Sequence, residues 1–108
     1  MTAMREFKAD LFKTLGHPVR LWILELLRGG EKTVTELQQS LEIEASSVSQ
    51  QLSVMRSHQL VESRKIGTSV FYTVRDPYVF DLLDIARKIF ENRVATMTAV
   101  LDEDTVSE

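Results

Sequence analysis

Residues 46–56 read Ser-Ser-Val-Ser-Gln-Gln-Leu-Ser-Val-Met-Arg, a run of hydroxyls and amides that contains no acid. On a helix, Val48, Leu52 and Met55 would share one stripe, leaving Ser46, Ser47, Ser49, Gln50, Gln51, Ser53 and Arg56 on the remaining surface. Hydroxyls donate and accept hydrogen bonds in little space, and a glutamine amide sets a donor beside an acceptor. That is the chemistry of recognition rather than turnover. Short side chains admit close approach to a duplex, and glutamine can bond bidentately to adenine in a major groove. Ser46, Ser47, Ser49, Gln50 and Gln51 are therefore the expected base readers, with Ser53 and Arg56 placed for phosphates. The alternative is a merely solvated helix face. Serine is a weaker helix former than Ala, Glu or Lys, so a face selected only for stability would use other residues.

A second polar cluster lies at 64–69, where Arg64, Lys65, Thr68 and Ser69 gather near a turn. These residues suit phosphate contact beside a minor groove, although a basic edge strand also guards against unwanted strand pairing. His58, near the end of the serine-rich segment, is expected to touch phosphate or solvent. No other chemistry is well supplied. The chain has no cysteine, which excludes disulfides, thiolate metal sites and thiol redox sensing. Two isolated histidines, His17 and His58, do not make a zinc site, and no metal or other cofactor is expected. Asp81 and Asp84 lie three apart, but an exposed acidic helix face explains them. No nucleophile stands near a base, and no phosphate loop is present, so an enzyme is the weakest reading.

The elements that must hold these residues follow from periodicity. A first helix (α1) is expected over 5–15, with Phe7, Leu11, Phe12 and Leu15 at helical spacing. A second (α2) over 18–27 opens on Pro18, is apolar on nearly all sides like a central core helix, and stops at Gly29-Gly30. Thr33-Val34-Thr35-Glu36 is a capping box opening a third (α3), whose Leu37 and Leu41 share a face. After a break at 41–45 the serine-rich helix (α4) runs over 46–57, making a helix-turn-helix. The period then changes to two: a strand over 60–66, a turn at Gly67-Thr68 and a return strand over 69–74. A long helix (α5) starts near Tyr78 and carries Val79, Leu82, Leu83, Ala86, Phe90, Val94, Met97 and Leu101. The order α1-α2-α3-α4-β-β-α5 is a mainly α, winged helix-turn-helix fold. One domain is expected over 1–101, with 102–108 a disordered acidic tail.

The chain has 108 residues, 44% hydrophobic and 27% charged, which suits one ordinary globular domain. No stretch approaches the about 18 apolar residues of a membrane span, and no secretory signal is evident, so a cytoplasmic protein without membrane contact is expected. The net charge of −3 is unevenly spread. Residues 45–75 hold Arg56, Arg64, Lys65 and Arg75 against Glu62, whereas 76–108 hold most of the acidic excess. One locally basic face is consistent with phosphate binding despite the total. The apolar residues Phe7, Leu11, Val79, Phe80, Leu83, Phe90, Val94 and Met97 of α1 and α5 exceed what a small core covers, which points to a homodimer. A twofold dimer would set two α4 helices about one DNA turn apart, on a pseudo-palindromic operator.

Several segments together resemble the ArsR-type (arsenic/zinc-responsive, ArsR/SmtB) family of bacterial winged helix-turn-helix repressors. They are residues 12–21 (FKTLGHPVRL), 23–27 (ILELL), Thr35-Glu36-Leu37, 48–52 (VSQQL), Leu60-Val61 and Val70-Phe71-Tyr72. The resemblance implies an obligate dimer through the first and last helices and a DNA-reading α4. It also implies autoregulatory repression relieved by an inducer. Family members carry Ser-His-His or Ser-His-Gln where this chain has Ser49-Gln50-Gln51. A serine usual before that helix is here Glu44, with Ser46 as a substitute cap, and Thr68 replaces a wing arginine. The family's thiolate site would fall at 35–39, where there is no cysteine. Its other metal site would map near Asp76, Tyr78, Ile89 and Asn92, where only Asp76 is a useful ligand. What remains is a non-metal small-molecule effector, a protein partner, or no ligand-driven release. An effector groove between α1 and α5, lined by Phe7, Leu11, Phe80 and Phe90, competes with a filled dimer core at the same place. The alternative function is a winged-helix dimerisation or protein-interaction module without DNA binding.

Overall fold

A computed structural model describes residues 2–106 of the chain. The element order is α1 (Ala3–Leu15), α2 (Pro18–Leu27), α3 (Val34–Leu41), α4 (Ala45–Ser57), β1 (Val61–Ile66), β2 (Ser69–Val74) and α5 (Tyr78–Val106). This is the expected mainly helical winged helix-turn-helix topology. Contacts cluster into two compact units, Met1–Pro77 and Tyr78–Glu108.

Each helix of the first unit begins where the sequence supplies a partner for its unpaired amides. The Thr2 hydroxyl accepts from Arg5 N at 3.3 Å, and α1 starts at Ala3, two residues before its expected start. His17 Nδ1 accepts from Val19 N at 3.2 Å, capping α2 with Pro18 at its first position. The α3 capping box is complete: Thr33 Oγ1 accepts from Glu36 N at 3.2 Å, and Glu36 Oε1 accepts from Thr33 N at 3.1 Å. α3 ends on Glu42 in the left-handed region, φ 57°. α4 begins at Ala45 with Glu44 as its N-cap, and that carboxylate makes no capping bond.

Ile23, Leu24, Leu27, Leu37, Leu41, Val48, Leu52, Met55, Leu60 and Val61 are buried. α2 departs from the all-round core helix that its composition predicted. Ile23, Leu24 and Leu27 face inward, but Trp22 is 51% exposed. At 100° per residue Trp22 lies about 150° from the middle of that stripe, so the indole cannot share it.

β1 and β2 pair antiparallel from Val61↔Val74 to Ile66↔Ser69. Gly67, at φ 61°, is the first of two central turn residues, the position where a type II′ hairpin needs a positive φ. The sequence did not predict the other edge of β2. There Lys32 N donates to Tyr72 O at 3.1 Å and Tyr72 N donates to Lys32 O at 2.8 Å. This bridge ties the segment between α2 and α3 to the hairpin.

The second unit is α5, a helix of 29 residues and so about 44 Å long. It continues past Leu101 to Val106, through residues that the sequence assigned to a disordered tail. Extending an existing helix needs no new buried surface, so an acidic composition does not by itself stop it. Residues 107–108 of that tail lie outside the described residues. α5 exposes Ile85, Ile89, Phe90, Val94, Met97, Val100 and Leu101. No helix among the described residues is long and apolar enough to cross a membrane.

Candidate nucleic-acid interface

The face of α4 is set by what lies beneath it. Val48, Leu52 and Met55 are 0% exposed, and they anchor the helix against the core. Ser46, Ser47, Ser49, Gln50, Ser53 and Arg56 are all exposed. No acidic side chain interrupts the helix itself; the nearest along the chain is the exposed Glu44 at its N-cap. A helix N-terminus carries a partial positive charge that favours a nearby carboxylate. The same carboxylate would repel an approaching phosphate.

Gln51 differs from its expected companions. It lies about 65° from the buried stripe, whereas Gln50 lies nearly opposite it. Gln51 is accordingly half-buried, and its Oε1 accepts from Arg20 Nε at 2.8 Å. Arg20, on α2, also donates from NH1 to Thr14 O at 3.1 Å. The sequence reading grouped both glutamines. The helical step alone separates them, and that signal was available.

His58 is exposed at the C-cap of α4, and its Nδ1 lies 3.0 Å from Asp10 Oδ2 of α1.

On the wing, Lys65, Thr68 and Ser69 are exposed around the turn. Arg64 is exposed but engaged: its Nε donates to Glu31 Oε2 at 2.8 Å and its NH2 to Glu31 Oε1 at 2.6 Å. The hydrogen bonds from Arg64 hold the Glu31 carboxyl below the usual carboxylate range; desolvation opposes them, and the charge of Arg64 adds a lesser pull downward. They hold the Arg64 guanidinium more firmly protonated in turn. Ile66 and Val70 are also exposed here, so the wing presents apolar as well as polar side chains. Arg75 lies 3.5 Å from Glu62, so the basic segment is partly neutralised by its own acid.

The expected dimer residues divide. Phe7, Phe90, Val94 and Met97 are exposed, and Leu11, Phe80 and Leu83 are half-buried. Val79 is buried within the single chain, at 6% exposure, so a partner has nothing left to cover there. The sequence reading overlooked exposed Met4 on α1 and Ile85 and Ile89 on α5.

The residues present do not fit the metal sites that this fold family implies. There is no cysteine. The His17 ring nitrogen Nδ1 is used as a helix cap, His58 is paired with Asp10, and no group of three His, Asp or Glu gathers among the described residues.

Comparison with known proteins agrees with this architecture. The family described as bacterial regulatory protein, arsR family, matches residues 17–63. The uncharacterised HTH-type transcriptional regulator Rv0081 of Mycobacterium tuberculosis is 39% identical over 99 residues, covering 91% of this chain and 87% of that protein. Its crystal structure superposes with a TM-score of 0.80 at 35% identity, over 91% of this chain and 99% of that one. A biofilm growth-associated repressor of Xylella fastidiosa is 39% identical over 82 residues, 76% of this chain and 72% of its own. The homodimeric winged helix-turn-helix DNA-binding domain of Mb0332 from Mycobacterium bovis has a TM-score of 0.77 at 27% identity, with 85% of each chain covered. These are regulators of transcription rather than enzymes. With its helix-turn-helix, hairpin wing and long last helix in this order, the chain belongs to the ArsR family of winged helix-turn-helix DNA-binding regulators.

Proposed function

We propose that the protein is a homodimeric, sequence-specific repressor that binds a pseudo-palindromic operator, includes its own promoter among its targets, and acts in the cytoplasm without sensing a metal. The observation that carries this reading is the acid-free exposed face of α4 above three completely buried anchors. Ser46, Ser47, Ser49 and Gln50 read base edges, with Gln51 at the margin of the face. Ser53 and Arg56 on α4, and Arg64, Lys65, Thr68 and Ser69 on the wing, contact the backbone. Dimerisation through Phe7, Leu11, Phe80, Leu83, Phe90, Val94 and Met97 is supported by the large apolar surface that α1 and α5 each leave to solvent. The homodimeric state of the Mb0332 domain supports it as well. Absence of cysteine argues against a thiolate-bound inducer, and leaves a non-metal effector, a protein partner or no ligand-driven release.

A second reading, a dimeric interaction module that no longer binds DNA, draws on the net charge of −3 and the Arg64–Glu31 pair. Titration of the DNA upstream of its own coding sequence, at fixed salt and with unrelated duplex as competitor, separates the two. A repressor prefers its operator by roughly a thousandfold or more, and its affinity falls steeply with salt. Equal affinity for both duplexes refutes sequence-specific repression. Sedimentation of the free protein as a monomer at micromolar concentration refutes the dimer.

A further inference from the structure

Two adjacent glutamines on one recognition helix would ordinarily be treated as equivalent readers. Their surroundings make them different. Gln50 is exposed, whereas Gln51 is half-buried with its amide oxygen 2.8 Å from Arg20 Nε. We infer that Arg20 is a specificity-determining positioning residue, which fixes the orientation of the Gln51 amide so that its Nε2 donor, and not its oxygen, is the end turned away from Arg20. This inference rests on the DNA-reading role proposed for α4.

Arginine has only donors, so the group facing Nε must be the amide oxygen; a flipped amide would set two donors against each other. At 2.8 Å the contact is a full hydrogen bond to a charged donor, the stronger class of such bonds. The guanidinium is fixed in turn by its second bond, NH1 to the Thr14 carbonyl at 3.1 Å, in the last turn of α1. Both side chains are half-buried, which restricts their alternative rotamers.

The adenine contact of a glutamine uses both ends of one amide, the oxygen accepting from N6 and the nitrogen donating to N7. With one of the two lone pairs of its oxygen taken by Arg20, Gln51 keeps a single acceptor site and cannot exchange the two ends of its amide. Its Nε2 donor is the end not bonded to Arg20, which favours an acceptor edge such as guanine N7 and O6 or thymine O4. Gln50 keeps both ends, and either orientation, for a bidentate contact. The neighbouring positions thus read by different rules, and the difference originates on α2, outside the recognition helix.

The test is selection from a duplex pool of randomised sequence, sequenced after binding to the wild type, Gln50→Ala, Gln51→Ala, Arg20→Met and the double variant Arg20→Met/Gln51→Ala. Gln51→Ala should erase the preference at one base pair of each half-site. Arg20→Met, which frees the amide, should change the preferred base at that same pair by about tenfold and leave the others alone. In the double variant this change should vanish. A uniform loss across the site for Arg20→Met, or a change that survives without Gln51, overturns the inference and makes Arg20 merely structural. Should Arg20→Met fail to fold, Gln51→Glu replaces it. The carboxylate keeps its partner on Arg20 but has no donor, so it should lose the same preference with an unchanged or higher Tm. Retention of that preference overturns the inference. If Gln51→Ala leaves the whole profile intact while Gln50→Ala alters it, this inference fails and the α4 reading stands. If the wild type enriches no sequence, the α4 reading itself fails.

Discussion

Replacing Ser49 and Ser53 with alanine sets the stability of α4 against its use. Both residues are exposed within the helix. Serine is worse than alanine in a helix interior by about 0.5 kcal/mol, because its hydroxyl competes for backbone groups. The double variant Ser49→Ala/Ser53→Ala should therefore gain about 1 kcal/mol. For a domain of this size that raises Tm by roughly 4–8 °C, compared at one protein concentration because a dimer's Tm depends on it. If the hydroxyls also meet DNA, each lost hydrogen bond removes about 0.5–1.5 kcal/mol of binding. Over the two protomers of a bound dimer they weaken operator affinity by roughly 30-fold or more. Differential scanning calorimetry and fluorescence anisotropy on the same preparations measure both effects. Opposite signs are expected: a more stable protein that binds less well. A higher Tm with unchanged binding would show a solvated face that never meets the duplex. A lower Tm would show that the serines hold structure, contrary to their exposure.

Leu52→Ala, at the centre of the buried stripe, should cost about 2–5 kcal/mol in urea denaturation, and a loss below about 1 kcal/mol would contradict its role as the anchor of α4. Glu44→Gln removes the one carboxylate at the N-cap of α4, so it should tighten binding to specific and unrelated duplexes alike; unchanged or weaker binding would place that helix end away from phosphates. Lys65→Ala should weaken binding to all sequences and reduce the logarithmic salt slope by about two, one for each protomer of the dimer, whereas an effect confined to the operator would make Lys65 a base reader. The Arg64–Glu31 pair carries a pH signature. Because the Glu31 carboxyl is held below its ordinary value of 4.5, its contribution to stability is present above that value and is lost as pH falls through the lowered one. The difference in urea midpoint between wild type and Glu31→Gln should shrink on acidification, and a difference independent of pH would contradict the pairing.

What the sequence disclosed and what it concealed follow from the range of the interactions involved. The Val48, Leu52 and Met55 stripe, the Thr33–Glu36 capping box and the Gly67-Thr68 turn are local patterns, and each forms where the spacing places it. Arg20–Gln51, Arg64–Glu31 and His58–Asp10 join residues 31, 33 and 48 apart in sequence. No spacing rule reports a contact made only by folding. The Lys32–Tyr72 bridge is one residue pair long, too short to show a period. The exposure of Trp22 was not legible because α2 is apolar on nearly all sides, which hides the direction that the helix faces. α5 runs beyond its expected end because acidic composition does not fix the length of a helix already begun. The half-buried position of Gln51, by contrast, was legible in the 100° step from its neighbours and was overlooked.

The most direct test of the account uses the absence of cysteine, which makes any introduced thiol unique. Ser46→Cys, at the exposed start of α4, can carry an iron chelate that cleaves nearby DNA, with the cysteine-free wild type and the same reagent as the control. Two clusters of cuts are expected in the operator, separated by about one or two helical turns of roughly 10 base pairs. Cutting no stronger than the control, on a fully bound operator, would contradict it.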